Sequence, residues 1–260
     1  MKMSKSRALL YIKCPKNFYI DYVLGARKFK EDPPEGSPLT IGTDLHKIFE
    51  DFYKLPESDD IDVPYEDNIY SILMSMLEEM AEEKKEAGRD YKQCLELYPP
   101  HLRHFANFNA RIIKDKGMKK YKPVDQELDL YDKGLDFQGI IDRIDENPDK
   151  PGTYIITDYK TGKMKALHHY QFELGLYKVL YERSTGREVS KAGIYFSKNN
   201  KPRYLDMTDE HVEEALSTLK QIRREIDYYL ERKIPFERKE QFLCRFCDHE
   251  NRLCRESDLE

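Results

Sequence analysis

Two short strand-like segments between Gly139 and Gly162 carry the side chains most suited to chemistry. In Tyr154-Ile155-Ile156-Thr157-Asp158-Tyr159-Lys160-Thr161-Gly162 the period of two of a strand puts Asp158 and Lys160 on one face and turns Tyr159 away. The preceding segment, Gly139-Ile140-Ile141-Asp142-Arg143-Ile144-Asp145, supplies Asp142, which could lie across the sheet from Asp158. Two such carboxylates suit a hard divalent cation. Magnesium takes oxygen ligands and keeps several waters, so one or two carboxylates suffice when a substrate phosphate completes the shell. A cation held there activates water and neutralises charge developing on a phosphodiester, and Lys160 beside it could orient the water or support the transition state. An Asp-x-Lys triplet is a common accident in a chain that is 36% charged, but the apolar run before it and the upstream aspartate set this one apart.

A third candidate lies nearer the N-terminus. Gly42-Thr43-Asp44-Leu45-His46-Lys47-Ile48-Phe49-Glu50 reads as a helix start, with Leu45, Ile48, Phe49 and Phe52 on one stripe. His46 sits on the flank of that stripe. A histidine at the margin of a buried face is most often structural, yet the same margin is where an imidazole could reach a site at the sheet.

Gly-x-x-x-His at 42–46, Gly-x-x-Asp-Arg-x-Asp at 139–145 and Asp-Tyr-Lys-Thr-Gly at 158–162 occur in the order of the motifs of a known family. The chain resembles the RecB-like branch of the PD-(D/E)xK nucleases, which includes the nuclease domains of RecB and AddB and the CRISPR-associated Cas-four exonucleases. The resemblance implies a restriction-endonuclease-like α/β fold, with a mixed sheet flanked by helices. It makes His46, Asp142 and Asp158, with the Tyr159 carbonyl, ligands of Mg2+ or Mn2+, and Lys160 the catalytic lysine. Glu127, on the strand-like 124–130 segment, matches a recurrent family glutamate. The family also places a glutamine, and a tyrosine four residues on, in the helix after the catalytic strand. Gln171 resembles that glutamine, but Gly175 stands where the tyrosine belongs; a second register keeps Tyr177 as the tyrosine and puts Glu173 in the glutamine's place.

The cysteines form an independent signal. Cys244-x-x-Cys247 followed by Cys254 packs three thiols into eleven residues, a spacing suited to wrapping one metal centre. A fourth ligand is needed. By the same resemblance, to AddB-type and Cas-four-type nucleases, Cys14 completes a [4Fe-4S] cluster that joins the N- and C-terminal regions. Four-cysteine sites also hold zinc, and with His249 nearby a site of three cysteines and one histidine is the chemical alternative. Cys94 has no cysteine close by in sequence and reads as a small core residue.

With 39% hydrophobic residues in 260 positions the chain can build a core, and its mean hydropathy is −0.81. No run of eighteen apolar residues and no charged-then-apolar leader is present, which disfavours a membrane span and a secretory signal. The odd number of cysteines and their clustering argue against a disulfide framework, so a reducing cytoplasm is expected. The net charge of −5 does not itself advertise nucleic acid, but local cations decide phosphate affinity. Lys119, Lys120 and Lys122, with Lys163 and Lys165, flank the proposed core and could line a groove. Tyr121, His168, His169, Tyr195 and Tyr204 are interspersed and could stack on bases of single strands.

These residues must be positioned by the surrounding elements. Helices are expected at about 42–55, 66–90 and 95–116, strands at about 123–131, 135–145 and 153–160, a helix at about 166–184, strands at about 190–197 and 202–207, and a helix from Thr208 to about Lys233. The simplest organisation is one nuclease domain over 1–260: a mainly helical portion to about 120, a catalytic sheet core at about 121–207, and a helix with the cysteine tail beyond. The functional expectation is a metal-dependent deoxyribonuclease, an exonuclease preferring single-stranded ends, with 5'-to-3' direction taken from the resemblance. Its setting would be recombinational repair, CRISPR adaptation or mobile-element replication. No P-loop sequence occurs in these residues, so any unwinding motor would be a helicase partner; an integrase or recombination partner is equally compatible. The competing readings are a DNA-binding adaptor with a weak or silent site and an iron-sulfur redox protein.

Overall fold

The computed structural model describes residues 1–29 and 32–240 and, in the tail, 244, 245, 247, 249 and 254. The chain opens with a two-residue strand β1 (Met3–Ser4), followed by α1 (Lys5–Lys13), whose N-cap Ser4 Oγ accepts from the Arg7 N–H, and α2 (Pro15–Phe18). The sequence pattern predicts neither β1 nor α1, because the weakly amphipathic 5–13 segment carries no long apolar stripe. Four helices come next: α3 (Pro38–Phe52), α4 (Tyr65–Glu86), α5 (Lys92–Leu97) and α6 (Pro99–Lys116). Helix α3 begins four residues before Gly42. Ser37 caps it, its Oγ accepting from the Thr40 N–H at 3.2 Å, and Pro38 occupies the first turn, where no N–H is needed. The expected single helix at 95–116 is two, since Pro99 and Pro100 start a new helix at Tyr98 rather than ending one.

The N-terminal β1 joins β2 (Asp125–Asp132), β3 (Phe137–Glu146), β4 (Tyr154–Lys160), β5 (Val189–Phe196) and β6 (Lys201–Asp206) in a six-stranded mixed sheet. Helix α7 (Gln171–Thr185) is the crossover that allows β4 and β5 to run parallel, and α8 (Asp209–Arg232) follows β6. Helices α3, α4 and α6 pack on one side, where Phe49, Phe105, Tyr159 and Tyr195 share an aromatic cluster. On the other side α7 packs through Leu174, Tyr177 and Tyr181 onto Ile144, Ile156 and Ile194. A mixed sheet with helices on both faces is the restriction-endonuclease-like α/β architecture that the resemblance implies.

Strand β2 takes one edge of β3 along nearly its whole length, and the other edge is shared. There β4 pairs antiparallel with Arg143–Glu146, while β1 pairs parallel with Phe137 and Gln138. The ladder stops after Arg143↔Thr157, so Asp142 and Asp158 are the next facing pair at the point where the strands part. Gly139 lies in the opening, and a Cβ there would come within 2.9 Å of the Tyr177 ring; its absence lets α7 approach β3.

Candidate active site

The parting of β3 and β4 brings four of the motif residues together. Asp142 Oδ2 accepts the Tyr159 N–H at 2.5 Å, a side-chain acceptor for a main-chain donor that has lost its ladder partner, and this fixes the carboxylate in the gap. From α3, His46 lies over the same gap, with Nδ1 3.7 Å from Asp142 Oδ1 and 3.6 Å from Glu127 Oε1, and Nε2 3.2 Å from the Tyr159 carbonyl oxygen. His46, Glu127 and Asp142 present ligand atoms within 4.8 Å of one another, the only such group of three among the described residues. Glu127 sits between the pairs Gln126↔Arg143 and Leu128↔Ile141, opposite Asp142, with φ at 43°. A left-handed backbone at a non-glycine strand residue costs energy that the surrounding ladder sustains, and here it aims a carboxylate into the site.

Asp158 is 1% exposed, its Oδ1 2.8 Å from Lys5 Nζ and its Oδ2 paired with Lys160 Nζ. As period two requires, Asp158 and Lys160 point to the α7 side while the Tyr159 ring is buried among Phe49, Phe105 and Tyr195. Lys160 Nζ also lies 3.7 Å from Glu173 Oε1. Of the two registers on α7, the geometry places Glu173 and Tyr177 at the site: Glu173 is buried against the lysines, and the Tyr177 ring lies 4.8 Å beneath Lys5 Nζ. Gln171 faces α8 instead, its Nε2 3.2 Å from His211 Nε2. Gly175 marks the α7–α8 crossing, where a Cβ would come within 2.8 Å of the Ala215 Cβ, so no tyrosine fits there.

The electrostatics divide the carboxylates. Burial, reinforced by Asp158, pushes Asp142 well above the usual carboxylate range against the opposing pull of His46 and Lys5. Burial acts on Asp158 in the same sense, but Lys5 and Lys160 overcome it and hold this carboxyl well below the usual range. Burial would lower His46, yet contact with Glu127 and the fields of Asp142 and Asp158 raise it. Burial and Asp158 raise Glu173, opposed by the two lysines. A cluster whose acids strain against one another has a deficit of positive charge at the gap. One imidazole, carboxylates and a main-chain carbonyl form a donor set that fits a hard divalent cation.

The remaining candidates are placed less uniformly. Lys119 and Lys120 are exposed on a short turn, and Lys163 and Lys165 are exposed just after β4. Lys122 is instead occupied structurally, with Nζ 2.5 Å from Asp59 Oδ1 and 3.0 Å from the Tyr53 carbonyl. Tyr121 and Tyr195 are fully buried and cannot stack on a base; they are core residues, since each closes an aromatic cluster under the helices. His168 and His169 are exposed. Cys14 is buried at the start of α2 and Cys254 is buried in the tail. Burial raises the Cys254 thiol against the lowering influence of Arg238 and Lys16, and the neighbouring Cys14 and Cys247 raise it further. The Cys247 Sγ accepts from Asn17 Nδ2 at 3.5 Å, and the Lys16 N–H bonds the Glu237 carbonyl at 3.0 Å, so the N-terminal segment and the tail meet. His249 Nε2 is committed to Asp21 Oδ1 at 2.7 Å. Most residues between Cys244 and Cys254, including Phe246, Asp248 and Leu253, lie outside the described residues.

Two basic residues of the site carried different signals. Lys160 stood in a motif; Lys5 did not, being one of 44 lysines and arginines with no distinguishing spacing.

Residues 2–255 match the PD-(D/E)XK nuclease superfamily. The chain belongs to this superfamily. Among curated proteins it is similar to an ATP-dependent helicase/deoxyribonuclease subunit of Acetivibrio thermocellus, 28% identical over 256 residues that cover 85% of this chain and 22% of that protein. The corresponding protein of Ruminiclostridium cellulolyticum is 25% identical over 244 residues, 82% of this chain and 21% of the relative. The chain thus spans about a fifth of the length of these relatives. A solved structure from Eubacterium rectale, described as a candidate exonuclease, matches with a TM-score of 0.54 at 16% identity, covering 95% of this chain and 87% of the other, which is a likeness of fold. Asp158 and Lys160 have the (D/E)XK spacing in the superfamily's name, while Ile141, not proline, precedes Asp142. No helix among the described residues is long and apolar enough to cross a membrane.

Proposed function

We propose that this chain is a metal-dependent deoxyribonuclease, acting as an exonuclease on single-stranded DNA ends in recombinational repair. The observation that carries this reading is the meeting of His46, Glu127 and Asp142 within 4.8 Å at the parting of β3 and β4, with Asp158 and Lys160 beside it. His46, Asp142, Asp158 and the Tyr159 carbonyl would hold Mg2+ or Mn2+, with Glu127 at the margin. The bound ion supplies a Lewis acid for the phosphate and a more acidic water. The chain's own part is orientation and charge. The Tyr159 N–H fixes Asp142, the two lysines keep Asp158 anionic, and Lys160 presents an ammonium where negative charge develops on the phosphate. Exposed Lys163 and Lys165 lead away from Lys160 as a track for the DNA backbone.

The relatives' description as helicase/deoxyribonuclease subunits supports a DNA substrate and a helicase partner. We read residues 1–260 as one nuclease unit working in the cytoplasm. The meeting of Cys14 with the tail supports a shared centre for Cys14, Cys244, Cys247 and Cys254, a [4Fe-4S] cluster that ties the chain ends together and acts structurally by restricting the unfolded chain. Engagement of His249 with Asp21 favours cysteine as the fourth ligand over a three-cysteine, one-histidine zinc site.

The test is end-labelled single- and double-stranded DNA incubated with anaerobically purified protein, with Mg2+, Mn2+ or chelator, alongside iron and sulfide analysis of the same sample. Shortened product that needs the cation, and its loss in folded Asp158→Ala and Lys160→Ala, is expected. DNA binding without cation-dependent product would replace this reading with that of an adaptor.

A further inference from the structure

The groups that hold Asp158 form a closed ring of alternating charge. Asp158 shares its two oxygens between Lys5, at 2.8 Å from Oδ1, and Lys160 at Oδ2. Glu173 shares its own between the same ammonium groups, with Oε2 3.6 Å from Lys5 and Oε1 3.7 Å from Lys160. The four corners come from α1, β4 and α7, so only the tertiary fold makes the ring. Both carboxylate side chains are nearly inaccessible, at 1% and 5%, while the lysines retain 21% and 27%. The backbone delivers Lys5 for a definite reason. Strand β1 occupies the edge of β3 that β4 has left, and Lys5 is the first residue beyond it, so its side chain enters the gap between the two strands. The Tyr177 ring beneath Nζ supplies a cation–π contact and limits its freedom.

We propose that Lys5 is a second cation of the reaction centre, a positioning residue that with Glu173 fixes Asp158 and Lys160 and sets the affinity of the neighbouring site for its divalent ion. The inference rests on the reading of His46, Asp142 and Asp158 as the cation site. Its consequence follows from counting charges. Two ammonium groups and two carboxylates make the ring neutral as a whole, so Asp158 offers a ligand oxygen while the net negative charge that draws the ion comes from Asp142 and Glu127 beside it. Without Lys5 the ring is negative and the ion binds more tightly to a carboxylate that is no longer held in place. Without the Glu173 charge the ring is positive and the ion binds more weakly. A residue that merely supports the fold would move both affinities in one direction.

The experiment measures Mn2+ binding calorimetrically without DNA, and cleavage of single-stranded DNA at saturating Mn2+, for wild type, Lys5→Met, Lys5→Arg, Glu173→Gln and, as control, Asp158→Ala. Lys5→Met should tighten Mn2+ binding by roughly tenfold, the factor that one unit charge about 5 Å from a divalent ion contributes even at the dielectric of water. Glu173→Gln should weaken it by a similar factor. Both should lower kcat on the order of 10- to 100-fold, as loss of groups that orient metal ligands does. Lys5→Arg, which keeps the charge, should return both quantities toward wild type. Shifts of the same sign in Lys5→Met and Glu173→Gln, or an unchanged kcat in either, would overturn the proposal. Should Lys5→Met not fold by circular dichroism, Lys5→Arg and Glu173→Gln decide, and an unchanged Mn2+ affinity in Glu173→Gln overturns it. A wild type that neither binds Mn2+ nor cleaves, or an Asp158→Ala as active as wild type, would reject the nuclease reading itself. A silent Lys5→Met beside intact controls rejects only the role of Lys5.

Discussion

Replacing Arg143 should remove much of this protein's stability while leaving the cation ligands untouched. Its guanidinium is fully buried beneath the sheet and grips Asp145 bidentately, Nε to Oδ2 at 2.6 Å and Nη2 to Oδ1 at 2.8 Å. Nη2 also donates to the Tyr121 carbonyl at 2.9 Å, and Nη1 to the Tyr53 hydroxyl. Arg143→Met keeps most of the volume but strands Asp145, which is 7% exposed and, among the described residues, would keep only Lys116 Nζ at 4.0 Å as a cationic partner. Breaking a buried pair by removing one partner costs about 3–5 kcal/mol, against a typical total stability of about 5–15 kcal/mol. In the double variant Arg143→Met/Asp145→Leu no charge is stranded. What remains is the loss of donors to Tyr121 and Tyr53, about 1–3 kcal/mol for a buried acceptor. The double variant should therefore be more stable than Arg143→Met alone. Urea unfolding at pH 7.5 with chelator present, which removes linkage to bound cations, measures both values. A single variant costing under about 1 kcal/mol, or a double variant no better than the single, would refute the assignment of Arg143 and Asp145 as scaffold and Asp142 as chemistry.

Gly139→Ala should destabilise by about 1–3 kcal/mol, because the new Cβ would lie 2.9 Å from Tyr177 Cε1 and 3.1 Å from Leu180 Cδ2. Thermal melts check this, and cleavage should fall as well because Tyr177 underlies Lys5. Stability should also depend on acid through His101. Burial, with help from Lys198 and His104, lowers this histidine to about 4 from an ordinary value of 6.5, so the folded chain holds it neutral. The contribution is present in full above the unfolded value and is lost as pH falls from about 6.5 toward 4, since the unfolded chain takes up the proton first. Urea midpoints across that window should fall for wild type and flatten in His101→Gln; equal slopes would assign the acid sensitivity elsewhere.

How far the site could be read from sequence depends on the distance over which each residue's role is set. Asp158, Tyr159 and Lys160 were legible because strand alternation is local, and it dictates which side chains turn to the site and which to the aromatic core. Asp142 was legible as a partner because a short antiparallel connection brings its strand alongside. The boundary at Pro99 was visible, but its meaning as a start depended on Tyr98 packing into the helical core. Glu173 and Gln171 stand two residues apart, more than half a turn of helix, and the α7–α8 crossing at Gly175 decides which faces Lys160.

The sequence by itself determined the Asp-x-Lys spacing with its upstream aspartate, the strand–helix order from β2 to α8 and the cysteine spacing, all of which rest on near neighbours in the chain. Only the tertiary structure decided that Lys5 enters the gap left by β4, that Glu127 is turned into the site, and that Arg143 is buried against Asp145. The reason is physical: a charge is tolerated in a low-dielectric interior only where a partner meets it, and partners such as Lys5 and Asp158 are 153 residues apart in the chain.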